Sequence, residues 1–269
     1  MADDVRTVFS ENIAEIAANA FLTENFGLDI FMGADIESVL SARAQVIYQD
    51  VDDSEYSGAA ISFRQQNFVV LNTWQPLRAR YYSAAHELWH LALKAELFGP
   101  ENKKIMAQVQ LPLFDMERAA DHFAAAVMMP KEAMLATWSK YVGLQPSTDK
   151  QVAQAAIVRI ANISSMPYVA VTRRLKELGL LLSKSLVKLS ESDWRDYVCH
   201  SNFPPSSLDQ AVHFKKFAGM AELINQLVAK QQITLTEAAS LAAHTEPQLA
   251  VDLLNRRQEQ VDRLSEGNV

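Results

Sequence analysis

Cysteine is nearly missing from this sequence: Cys199 is the only one in 269 residues. One thiol forms neither an internal disulfide nor a cysteine-built zinc site, so any metal must be held by His, Asp or Glu. Glycine and proline are scarce too, at eight and nine residues, which excludes fibrous and low-complexity architectures. No apolar run approaches the roughly 20 residues that a membrane-spanning helix needs. The acidic, amphipathic opening "MADDVRTVFSENIAEIAAN" lacks the basic leader and apolar stretch of a signal peptide. These absences lead us to expect a cytoplasmic protein with no membrane partner.

The composition that remains, 49% hydrophobic and 21% charged, is that of a soluble globular protein. Its length suits one large domain or two smaller ones, and two is the working number. The net charge of −7 is unevenly spread: residues 1–146 carry −8, residues 147–190 carry +5 and residues 191–269 carry −4. A short basic segment therefore sits between two acidic ones.

Apolar positions at helical spacing predict a helix over 5–22, closed by Gly27, and a short second helix over 35–43. "AQVIYQDV", "SGAAISF" and "NFVVLN" follow, three short runs rich in Val, Ile, Phe and Tyr between polar turns, which predict a small antiparallel sheet. Helical periodicity resumes near Pro76 and runs to Glu96, where "LFGPEN" interrupts it. Further helices are expected over about 115–129 and 131–141, and "VGLQPSTD" is the expected domain boundary. Beyond it the pattern is helical throughout. The fold class is α+β.

Within the helix after Pro76, "HELWH" places His86 and His90 four residues apart, about 400° of rotation, so both imidazoles leave one face a single turn apart. Two ring nitrogens at that spacing can reach one metal ion. Glu87, about 100° around the helix, falls beside that ion as a general base rather than as a ligand. The neighbours Ala84, Ala85, Leu88, Leu91 and Ala92 are apolar. Unpaired polar groups buried among them would cost several kcal/mol, about what a bound metal would offset. Catalytic zinc takes three protein ligands and leaves a fourth position for water. Downstream, "MERAADHFAAAVMMP" sets Glu117 and Asp121 one helical turn apart on an alanine-rich helix. Glu117 is assigned as the third ligand. Asp121 is assigned as the carboxylate that orients a histidine through its other nitrogen; Asp121 as the ligand is the alternative.

The pattern Glu-x-x-Ala-Asp-x-Phe-Ala, followed by a hydrophobic run ending in Met-Pro and placed after His-Glu-x-x-His, resembles the ImmA/IrrE metallo-endopeptidases. The matching residues are Glu117, Ala120, Asp121, Phe123, Ala124, Met129 and Pro130. "VVLNTWQPLRARYYSAAHELWH" is similar to that family's lead-in, a strand ending in Asn and then a helix with Arg and a small hydroxyl residue. The resemblance spans roughly residues 45–182. One departure is Trp89, where the family often has glycine, and it bears on packing behind the site and on the shape of the cleft. The resemblance implies a zincin-like domain over 1–146 and cleavage of a helix-turn-helix transcriptional repressor in a stress or mobile-element switch. With zinc on His86, His90 and Glu117, or manganese as the alternative, Glu87 takes a proton from water and passes it to the leaving amine. Tyr81, Tyr82 and His122 are read as packing or surface residues, and His200, His213 and His244 as ordinary.

Residues 150–182 outline a helix-turn-helix, with a tight turn at Asn162–Ser165, a serine cap on the second helix and Gly179 as its stop. Arg173, Arg174 and Lys176 lie late on that second helix, whereas DNA-reading helices contact bases mostly through their N-terminal half. Packing or substrate docking is the expected role of the 147–190 module. The rival is a non-catalytic DNA- or protein-binding regulator with a structural zinc. Residues 191–269 are expected to be helical, with "LDQAVHFKKFAGMAELINQLVAKQQ" as one amphipathic stretch. The connection 97–114 must join two helices that meet at one metal, so it is expected to border the cleft and limit access.

Overall fold

The computed structural model describes residues 2–63, 66–93, 101–143, 149–217, 219–243 and 245–266. Helices α1 (Ala2–Asn25) and α2 (Asp35–Ser41) precede strands β1 (Gln45–Gln49), β2 (Gly58–Phe63) and β3 (Gln66–Asn72). Four helices follow: α3 (Leu77–Ala92), α4 (Asn102–Val109), α5 (Met116–Met128) and α6 (Lys131–Tyr141). Next come α7 (Lys150–Ser164), α8 (Tyr168–Glu177), α9 (Lys184–Val187) and α10 (Glu191–Cys199). The two-residue strand β4 (Lys216–Phe217) then leads to α11 (Met220–Ala229), α12 (Leu235–Ala242) and α13 (Pro247–Glu266). The class is α+β, as expected. No single helix among the described residues is long and apolar enough to cross a membrane.

The sheet runs in the order β2-β3-β1-β4. The β2–β3 and β4–β1 pairs are antiparallel, as expected, but β1 and β3 are parallel, with Val46 opposite Val69. β3 inserts between the two strands that precede it, so the chain from β1 must cross over its end. Asn72 fixes that crossing. Its fully buried amide donates to Val51 O at 2.9 Å and Tyr56 O at 2.8 Å, and its oxygen accepts from the backbone N–H of Val51 and of Trp74, each at 3.1 Å. Every polar atom of the side chain is thereby satisfied, as burial demands.

α3 packs against β2 and β3 and against α5, which in turn lies along α1. Five buried alanines of α5 (Ala119, Ala120, Ala124, Ala125, Ala126) allow these helices to approach closely. The aromatic rings of Trp89, Phe123 and Phe21 fill the core between them.

The helix-turn-helix outline is present, with Ser165 left-handed (φ 59°) at the end of α7. The second helix is not capped by serine: Pro167 holds the N-cap position, where a locked φ suits helix entry and no N–H is wasted. This module is tied to α3 by Arg78, almost fully buried, which donates to Ala161 O, Met166 O and the Asn162 side chain and pairs with Asp209.

Residues 210–217, expected as part of a helix, are extended instead. Leu77 N–H donates to Gln210 O at 3.0 Å and Thr73 Oγ1 to Phe214 O at 2.8 Å. His213, Phe214 and Phe217 lay their rings on Trp74, Tyr48 and Phe68. These ring contacts and β4's pairing with β1 outweigh the segment's helical periodicity. α11–α13 enclose a small apolar cluster of their own, centred on Ile224, Ala242 and Leu253.

Candidate metal centre

The two ligand-bearing helices begin differently. α3 starts at Pro76, and α5 at Asp115, whose carboxylate accepts from Arg118 N–H at 3.1 Å. That cap fixes the first turn of α5, on which Glu117 sits. His86 Nε2 lies 3.3 Å from His90 Nε2 and 3.2 Å from a Glu117 oxygen, and His90 Nε2 lies 3.7 Å from the other. A tetrahedral ion with bonds of about 2.0–2.1 Å separates its ligand atoms by roughly 3.3 Å, so the three groups stand where such an ion would bind. Asp121 Oδ1 is 3.1 Å from His86 Nδ1. With Nδ1–H donating to that carboxylate, His86 Nε2 presents a lone pair, as the hydrogen-bond network assigns it. A lone pair facing a second imidazole and a carboxylate is a donor set that fits a cation.

Burial pulls the His86 pKa down, but the Asp121 hydrogen bond and the charges of Glu87, Asp121 and Glu117 outweigh it, and the net shift is upward. Burial pushes the Asp121 carboxyl up, and the His86 hydrogen bond, with the charges of His86, Arg173 and Arg118, brings it below its ordinary value. Glu87 is 7% exposed, and burial raises its pKa; the charge of Glu117 adds to this, while His86 and a hydrogen bond from Ala60 N–H oppose it. A buried carboxylate with a raised pKa, beside the candidate ligand set rather than in it, is a stronger proton acceptor than an ordinary carboxylate.

Above these groups lies a cleft of about 740 Å³, open to solvent between β2 with its preceding loop and α4. A Cβ at Gly58 would come within 2.7 Å of Val70 O, so only glycine lets β2 run this close to β3 beside Glu87. Residues 94–100 of the long connection lie outside the described residues. Its next part is not irregular, as expected, but forms α4, which contributes Met106 and Val109 to the cleft wall. Helical order there follows from Ile105, which is buried against the core.

Each predicted site residue is in this cluster: His86, Glu87 and His90 from α3, Glu117 and Asp121 from α5. Three further residues contribute in ways not assigned from the sequence: Tyr82, read as packing or surface, Ala60, and Trp89, noted for packing behind the site. Tyr82, four residues before His86 and so on the same face, donates its hydroxyl to Asp121 O at 2.9 Å. Ala60 N–H meets Glu87. Trp89 donates to Met116 Sδ at 3.3 Å. His122 lies elsewhere, 2.8 Å from Glu15, and with Glu11 and Glu177 forms a second group whose ligand atoms lie within 4.8 Å of one another. His213 pairs with Asp50, His200 bonds Asp196 O, and His244 lies outside the described residues.

A helix-borne histidine pair, an acid from a second helix and a buried carboxylate under the edge of a small sheet make up a candidate metal centre. The chain belongs to the peptidase M78 family: the model of its IrrE N-terminal-like domain matches residues 41–176, about half of the chain, and these contain every residue of the cluster. Comparison with curated proteins and with solved structures gives no match. Membership supports a metallopeptidase role in general, with a metal cofactor and a protein substrate.

Proposed function

We propose that the protein is a zinc endopeptidase that cleaves one specific protein partner in the cytoplasm, and that this partner is a helix-turn-helix transcriptional repressor. The observation that carries the metal assignment is the 3.2–3.7 Å spacing of His86, His90 and Glu117. Zinc, or manganese, held there supplies Lewis acidity toward a water and the scissile carbonyl. Glu87 accepts the water proton and delivers it to the leaving amine, Asp121 holds His86 in one tautomer, and Tyr82 steadies the Asp121 backbone. Among the described residues the outer edge of β2 has no strand partner in the sheet, so an extended peptide can add there, next to Glu87. In this reading residues 1–146 carry the chemistry, 147–190 dock the substrate, and 191–269 close the structure, with α4 limiting access to the cleft.

The repressor as substrate rests on the family resemblance and on a hazard: indiscriminate hydrolysis would damage the cell that makes the enzyme. The rival reading, a DNA-binding regulator with a structural metal, draws on the +5 charge of residues 147–190. Against it, Arg174 is buried and spent on an internal ion pair, and Glu117 is 75% exposed, which leaves a ligand position open to solvent. Co-expression with the product of the neighbouring repressor gene tests the proposal. Wild-type protein is expected to cut it, and Glu87→Gln to keep its metal and cut nothing. Sequence-selective, salt-sensitive DNA binding with no cleavage would establish the rival instead.

A further inference from the structure

The tryptophan inside "HELWH" sits between two ligands on α3, yet its ring points away from them and toward the start of α5. Trp89 is fully buried. It stacks on Phe114, with ring centres 6.2 Å apart and planes 19° from parallel, and its indole N–H donates to Met116 Sδ at 3.3 Å. Phe114 and Met116 flank Asp115, the cap of α5, and Met116 is bonded directly to Glu117. The turn from 114 to 117 is held from the other side by α1: Asp115 N–H donates to Ser10 Oγ at 2.8 Å, and Phe9 meets Phe114 edge to face. The first turn of a helix lacks intrahelical partners for its N–H groups, so its position depends on such outside contacts. From the histidine helix, Trp89 reaches this turn with both stacking and a hydrogen bond.

We propose that Trp89 is a positioning residue for the metal centre: by stacking on Phe114 and donating to Met116, it sets the distance between the His86–His90 pair and Glu117. The inference rests on the reading of those three residues as the metal ligands. Glu117 needs such a brace more than the histidines do, because its side chain is mostly in solvent and, among the described residues, its ion-pair contacts are the two imidazoles. A glycine at position 89 would remove the stacking on Phe114 and the hydrogen bond to Met116.

The test is zinc affinity, measured on metal-free protein by competition with a chromophoric chelator, alongside the thermal unfolding of the same metal-free samples. Trp89→Phe keeps an aromatic ring and loses the N–H; Met116→Leu keeps the volume and loses the sulfur acceptor. Trp138→Phe is the matched control, since Trp138 is equally buried on α6 and its indole N–H has no hydrogen-bond partner among the described residues. Trp89→Phe and Met116→Leu are each expected to bind zinc roughly tenfold more weakly, at the lower end of the cost of displacing the outer partners of metal ligands. Trp138→Phe is expected to bind as wild type. Affinities within twofold of wild type for both site variants overturn the inference, and so does an equal loss in Trp138→Phe, which would mark a general effect of core loosening. If Trp89→Phe does not fold, Met116→Leu decides alone. Absence of zinc binding by the wild-type protein overturns the ligand assignment, and this inference with it.

Discussion

α5 contributes to two clusters of histidine and carboxylate, and the contrast between them separates a candidate metal centre from an ion-pair network. In one, His86 and His90 meet Glu117 and Asp121. In the other, His122 meets Glu15 at 2.8 Å and Glu177 at 3.7 Å, with Glu11 alongside. Both satisfy a distance criterion for metal binding. The second, however, contains its own cations: Arg174 makes a bidentate pair with Glu15 at 2.8 Å and approaches Glu177, and Arg118 pairs with Glu11. In the first cluster the Glu117 carboxylate meets only imidazoles among the described residues. Three liganding groups in reach of one another therefore call for an ion only where no guanidinium already balances them.

The largest expected effect tests this contrast directly. His86→Ala should abolish zinc binding, measured as metal per protein by mass spectrometry after reconstitution, whereas His122→Ala should retain a full equivalent. Loss of zinc in the His122 variant would erase the distinction drawn between the clusters. Next in size is the cost of removing the built-in cation. Arg174→Ala removes a buried guanidinium and takes its bidentate partner from the half-buried Glu15, which keeps His122, and should destabilise the protein by about 3 kcal/mol, read from denaturant unfolding. Glu117→Ala, measured in the metal-free protein, should change stability by less than about 0.5 kcal/mol, because its carboxylate is exposed. A large loss from Glu117→Ala would mean that the first cluster is also a structural network.

Each half of the candidate metal cluster was legible in the sequence because helical periodicity sets it: four residues separate His86 from His90, and four separate Glu117 from Asp121; that the halves belong together was read from the ligand number of zinc and from the family resemblance. The second cluster was not. Glu15 meets His122 across 107 positions and Arg174 across 159, and local spacing carries no signal at such range. Arg174 accordingly looked like one of three basic residues late on the second helix of the module. The same reason hid the parallel β1–β3 pair, which depends on Asn72 reaching back to Val51 and Tyr56. Trp89 was visible as a departure from the family, but its contact with Met116 is a fact of packing. The 210–217 segment misled for another reason: its apolar residues serve a helix face or a strand equally well, and only Tyr48, Phe68 and Trp74 decide between them.

A smaller effect than the loss of Arg174 concerns pH and sharpens the contrast from the ion-pair side. Burial alone would raise the Glu15 pKa, but hydrogen bonds from His122 and Arg174, and their charges, lower it from its ordinary 4.5 to about 2. A folded-state pKa below the unfolded one means that the unfolded chain takes up protons first. The stabilisation is therefore complete above about pH 4.5 and is lost as pH falls toward 2. With a discount for the partial exposure of the side chain, its size is about 2 kcal/mol. Measured as the difference in unfolding free energy between wild type and Glu15→Gln, the gap should be constant from pH 7 down to about 5 and should close below that. Comparing two proteins that differ at one carboxyl cancels the titration of the groups that do not interact with it. A gap that persists unchanged to pH 2 would mean that Glu15 contributes by packing and not by charge, and the second cluster would then hold its arginine for a reason other than electrostatic balance.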